Sequence, residues 1–113
     1  MDSADPSAMA AEGFVVSEDG ARWSYVGTLT FANAAAVCAA AGELPLPSRG
    51  TVDLHGLRAV DSAAVAVLLS IKRRATQEGI PLAFDHVPAA LDSLATVYGV
   101  EEILMSAEAI AST

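Results

Sequence analysis

Thr51-Val52-Asp53-Leu54-His55-Gly56-Leu57-Arg58-Ala59-Val60-Asp61-Ser62-Ala63-Ala64-Val65 is the stretch that decides the fold. Thr51 to Leu54 predicts a short buried strand, followed by a short connection and then an Asp-Ser pair that opens a helix. Asp61 or Ser62 caps that helix by accepting hydrogen bonds from its unpaired amides. Ala63 and Ala64 keep the first turn thin, so a partner's surface can approach the backbone closely. The helix is expected over 62–78 and is closed by Gly79. Its first half is apolar nearly all round, whereas Lys72 to Glu78 is mostly polar. That contrast predicts a start that is packed or docked and an end in water, with Lys72-Arg73-Arg74 on a solvated face.

Toward the C-terminus, Pro81-Leu82-Ala83-Phe84 reads as a further strand. Pro88 fits the first turn of a helix that carries Leu91, Leu94, Ala95 and Tyr98 on one face and ends at Gly99. Ile103-Leu104-Met105 is either a short last strand or a helical turn. Toward the N-terminus, Glu43 to Arg49 holds Pro45 and Pro47 and reads as a loop. Before it, Thr30 can cap a helix in which Phe31, Ala34, Ala35, Cys38 and Ala41 recur at helical spacing, with Gly42 as its stop. Phe14-Val15-Val16 and Trp23-Ser24-Tyr25-Val26 flank Asp19-Gly20, which predicts a hairpin with a type I′ turn.

The order is β-β-α-β-α-β-α. Strands joined through helices form parallel pairs with right-handed crossovers, and the opening hairpin makes the sheet mixed. The expectation is a single α/β domain over 13–106: one mixed β-sheet with an N-terminal hairpin and crossover helices. Residues 1–12 read as a disordered tail, and 107–113 as an Ala-rich C-terminal tail.

Of the 113 residues, 53% are hydrophobic but only 5% aromatic, so the core is built mainly from Ala, Val, Leu and Ile. No apolar run reaches the roughly 18–20 residues of a membrane span. The first residues lack a basic segment and carry Asp2, Asp5 and Glu12, unlike a secretory signal, so a cytoplasmic location is expected. Six basic residues against fourteen acidic give a net charge of −8. Such a balance disfavours nucleic acid, anionic lipid and acidic partner surfaces.

The single cysteine, Cys38, excludes an intramolecular disulfide and a multi-cysteine zinc site, and it reads as a small buried hydrophobe. The sequence holds no GxxxxGK[ST], GxGxxG or HExxH motif. His55 and His86, with Asp53, Asp61 and Asp85 nearby, could be imagined as a metal or acid–base cluster. Their spacing matches no ligand pattern, and they read instead as polar loop residues. No metal site, catalytic group or cofactor is assigned.

The run V-D-L-x-G-L-x-x-V-D-S-A-A over 52–64 resembles the signature of the STAS domain family, found in sulfate-transporter tails and anti-sigma-factor antagonists. The helix over 65–79, the strand 82–84 and Leu91-x-x-Leu94-Ala95-x-x-Tyr98-Gly99 extend the resemblance, which is closest to the MlaB-like subgroup. Ala64 stands where the family usually has glycine. The resemblance implies a small, non-catalytic, cytoplasmic subunit of an ABC system for phospholipid trafficking. Such a subunit lies at the inner membrane only through its complex, and it binds and stabilises or regulates the ATPase subunit. By the same resemblance, Asp61, Ser62, Ala63, Ala64 and Val65 are the partner-binding residues. The alternative it implies is an anti-sigma-factor antagonist whose Ser62 is the phosphoacceptor of a serine kinase. A phosphate there would sit at the positive end of the helix and add roughly −1.5 to −2 charges.

Overall fold

A computed structural model of the chain describes residues 12–105. Of the tails expected at 1–12 and 107–113, all but Glu12 lie outside the described residues. The elements in chain order are β1 (Gly13–Val16), β2 (Arg22–Leu29), α1 (Ala34–Gly42), β3 (Thr51–Val60), α2 (Ser62–Gln77), β4 (Ala83–Asp85), α3 (Ala89–Val97) and α4 (Glu101–Met105). The four strands form one sheet in the order β1-β2-β3-β4. The first pair is antiparallel, with Gly13 opposite Val26, and the other two pairs are parallel. The mixed α/β architecture is therefore the one expected, and Ile103-Leu104-Met105 is helical.

Because β2, β3 and β4 follow one another across the sheet, right-handed crossovers put α1 and α2 on the same face. Burial along β2 alternates accordingly. Trp23, Tyr25 and Leu29 are fully buried, whereas Arg22 and Val26 are exposed. Beneath the helices, Trp23, Tyr25, Leu29, Val52, Leu54 and Leu68 form the centre of the core. The buried aromatics keep their polar ends satisfied: Trp23 Nε1 donates to the Pro45 carbonyl at 3.0 Å and the Tyr25 hydroxyl to that of Thr28 at 2.6 Å. Among the described residues the opposite face of the sheet carries no crossover helix, and Arg22, Asp53, His55 and Asp85 lie there with the exposed Val15 and Val26.

Three local expectations change. The hairpin forms, but its loop runs from Ser17 to Ala21 and is not a two-residue type I′ turn. Asp19 accepts from the Ser17 hydroxyl and the Ala21 amide, and only Gly20 takes positive φ. Secondly, β3 does not stop at Leu54 but continues to Val60. β2 offers it a parallel partner as far as Leu29, through two irregularities in register. At about 3.3 Å per residue, the added length carries Asp61 roughly 20 Å beyond Leu54, past the end of β4.

The third change concerns Lys72, which is not on a solvated face but 1% exposed. Its ammonium donates to the Leu82 carbonyl and lies 5.9 Å from the centroid of the Phe84 ring. Arg74 is also engaged. Its guanidinium donates to the carbonyls of Ala41 and Leu44 at the end of α1, at 3.2 and 2.8 Å, and pairs with Glu78. Of the three cations, Arg73 alone is exposed.

Burial holds the Lys72 amine below its ordinary value of 10.5, because the ammonium loses its hydration. The unfolded chain therefore binds the proton more tightly than the folded one. The cost is fully present below the folded-state value and is relieved as pH rises toward 10.5. Lys72→Met, which keeps the stem without the charge, is expected to be at least as stable as wild type at pH 7. Its advantage should shrink as pH is raised to 10, read from paired denaturant midpoints. A difference that stays constant with pH would contradict this account of the buried amine.

Candidate docking site

The start of α2 is built from three pieces of chain. Asp61, with extended backbone, is the N-cap: its Oδ1 accepts from the Ala63 amide at 2.8 Å. Its Oδ2 accepts from the amide of Phe31 at 3.1 Å. One carboxylate thus caps α2 and ties down the turn that leads into α1. That turn is closed reciprocally, since Thr30 Oγ1 accepts from the Ala32 amide and Asn33 Oδ1 from the Thr30 amide. Asn33, and not Thr30, is the N-cap of α1.

Phe31 therefore lies in the turn before α1 and not on the inner face of the helix. It is 77% exposed, and Val37 and Ala41 fill the inward positions instead. Phe31 is the surface residue that the sequence reading missed. The available signal was Asn33, an N-cap residue type that starts the helix at Ala34, beyond Phe31.

Ser62 is the first residue of α2 and is half-buried, and its hydroxyl has no hydrogen-bond partner among the described residues. Ala63 and Val65 are buried, yet each contributes to the wall of a surface groove. Ala64 is fully buried in the core, so what it offers the surface is only the thinness of the turn. The exposed residue at the centre of this surface is Ala66, one turn after Ser62.

A groove of about 300 Å³ lies on one side of Ala66, lined by Ser62, Val65, Leu69, Tyr98 and Val100. On the other side a groove of about 380 Å³ is lined by Phe31, Ala34, Ala35, Cys38, Ala63 and Val67. Cys38 is partly exposed there. Tyr98, 55% exposed, is held at the end of α3 by its C-terminal motif. In that motif the Gly99 amide donates to Thr96 and the Val100 amide to Ala95, which requires the positive φ of 72° at Gly99.

His55 and His86 do come together, their rings meeting edge-on with centroids 5.9 Å apart. They sit on the bare face of the sheet, far from Asp61. His55 belongs to β3 and not to a loop. His86 Nδ1 is 3.0 Å from Asp53 Oδ1, and Arg22 reaches Asp53 and Asp85 at 3.6 and 4.0 Å. Partial burial raises the Asp53 carboxyl, but the His55 amide, the His86 ring and Arg22 outweigh it and leave the group below its ordinary value. Both histidines are exposed, and among the described residues no group of three or more His, Cys, Asp or Glu is placed to hold a metal ion. No helix of the described residues is long and apolar enough to cross a membrane.

No curated protein matches the chain. A family model described as "Mlab, STAS domain" matches residues 18–106. The matched region begins in the hairpin loop, takes in both crossovers and all the elements that frame Ala66, and covers most of the chain. By fold, by the Asp61–Ser62 helix start and by this match, the chain belongs to the STAS domain family.

Proposed function

We propose that this chain is a cytoplasmic accessory subunit that binds the ATPase of an ABC transporter and stabilises or regulates it, in a system of the phospholipid-trafficking type. STAS domains are in general protein-binding and non-catalytic, and the surface around Ala66 has the chemistry of a contact. The observation that carries the reading is that Phe31 and Tyr98, 77% and 55% exposed, line the two apolar grooves beside the start of α2. Apolar area of that kind is costly to leave in water and marks an interaction site. The description of the matching family supports the transporter assignment over other STAS roles.

The test is direct binding between the purified chain and the ATPase subunit encoded with it. Wild type is expected to co-elute with the ATPase. Ser62→Arg, which plants a long cation beside Ala66, is expected to weaken binding at least about 100-fold, in the range of a central interface residue. Absence of wild-type binding to the ATPase would sink the proposal.

One observation favours the second reading, an anti-sigma-factor antagonist: the unpartnered Ser62 hydroxyl at the first turn of α2. A phosphate there would sit at the positive end of α2, next to the Asp61 carboxylate that caps it. Incubation with the cognate serine kinase followed by intact-mass measurement and site mapping decides it. No modification, or modification elsewhere, rejects that reading.

A further inference from the structure

We infer that the partner meets this face with a helix carrying two large apolar side chains about one turn apart, one on each side of Ala66, flanked by basic residues, and that Phe31 is the anchor of the contact. The inference rests on the docking reading and specifies what docks. The chain has six aromatic residues. Trp23, Tyr25 and Phe84 are in the core, and Phe14 packs against it. The two that remain, Phe31 and Tyr98, are exposed on opposite sides of Ala66.

The backbone that carries each is set before any partner arrives, at Phe31 by Asp61 and the Thr30–Asn33 turn and at Tyr98 by the end of α3. Such preorganisation lowers the entropy cost of association. The grooves share Ala66 as their common wall, so one occupant must straddle a ridge no higher than a methyl group. A helix presents side chains three or four residues apart on one face, so it can seat one in each groove across Ala66.

Charge selects the flanks. Asp61 adjoins Ser62, and the exposed Glu101 and Glu102 follow Val100, while the cation on the same stripe of α2, Arg73, lies two turns beyond Ala66. On a chain of net charge −8 this rim attracts Lys or Arg and repels a second copy of itself.

The experiment measures affinity of the full chain for its ATPase subunit, with thermal melting of every variant. Phe31→Ala is expected to weaken binding at least 10-fold with an unchanged melting temperature. Glu101→Gln combined with Glu102→Gln is expected to weaken it about 3- to 10-fold at low salt and to flatten its salt dependence. Arg58→Ala, on the far face of the sheet, serves as the control and leaves affinity unchanged. Hydrogen exchange on the ATPase should show protection confined to one helix with two apolar residues a turn apart.

Loss of binding in Ser62→Arg together with wild-type affinity in Phe31→Ala overturns the inference and leaves the docking reading standing. Protection of a strand or loop in place of a helix, or affinity indifferent to salt, overturns it in the same way. A wild-type chain that ignores the ATPase, or that instead dimerises through Phe31, overturns both.

Discussion

Leu68→Asp is expected to abolish the folded state, whereas Ser62→Arg on the same helix is expected to leave it intact. Leu68 is fully buried and belongs to the core cluster with Trp23, Val52 and Leu54. Removing its side chain costs about 2–5 kcal/mol in lost burial and cavity formation. The carboxylate that replaces it must then be buried charged or take up a proton, which adds several kcal/mol more. The sum reaches the whole stability of an ordinary domain, about 5–15 kcal/mol. The expected observation is a chain with no cooperative thermal transition by circular dichroism at neutral pH. Ser62 sits half-buried at the rim of a groove, and an arginine there can lay its stem along Ala66 and keep its head in water. A surface change of this kind costs at most about 1 kcal/mol, or roughly 4–8 °C in Tm for a domain of this size. Comparable losses in the two variants would contradict the division of α2 into a core face and a docking face.

What could be read from the sequence was what short-range chemistry controls. Asp61 as a cap, Gly79 and Gly99 as helix stops, and Asp19-Gly20 as a hairpin signal all act within a few residues of themselves, and the structure uses each of them. The length of β3 was not legible. His55 and Gly56 break the alternation, and what keeps 55–60 extended is β2, a partner distant in sequence.

The position of Lys72 on α2 outweighs its charge. It stands four residues after Leu68 and three before Ala75, on the buried stripe, and its long apolar stem reaches the Leu82 carbonyl. Phe31 was placed on an inner face because the helical period of α1 was carried backward across its own cap. The Thr30–Asn33 turn resets the phase, so the largest side chain near that helix points to solvent. At the candidate site, then, the α2 positions Ser62, Ala63 and Val65 could be read from the sequence, whereas Phe31, Cys38, Tyr98 and Val100 come from other elements and join them only in the fold.

Gly50→Ala is expected to cost about 3 kcal/mol or more, a fall of roughly 12–24 °C in Tm, although the change adds a single methyl group. Gly50 immediately precedes β3 and has φ of +70°. An L-residue there pays about 1–2 kcal/mol for the left-handed backbone alone. A Cβ built on it would lie 2.2 Å from the carbonyl oxygen of Pro81, which is backbone and cannot swing aside. Retreat is blocked from both ends. Gly50 donates to Pro47 at 2.9 Å and accepts from Ala83 at 2.7 Å, while the next residue, Leu82, is buried and receives the Lys72 ammonium. Relief requires moving β4, a three-residue edge strand that pairs only with β3 in the sheet and buries Phe84 in the core.

Gly99→Ala separates the two costs. Its φ of +72° imposes nearly the same backbone strain, but nothing lies within 4 Å of the added Cβ. Denaturant midpoints should show Gly99→Ala losing about 1–2 kcal/mol and Gly50→Ala distinctly more. Equal losses would mean that β4 shifts freely, and the seating of α2 through Lys72 on Leu82 would then not be rigid. A larger loss at Gly50 would place the firm end of β3 at Thr51, with α2 set against the sheet through the same Pro81–Leu82 segment.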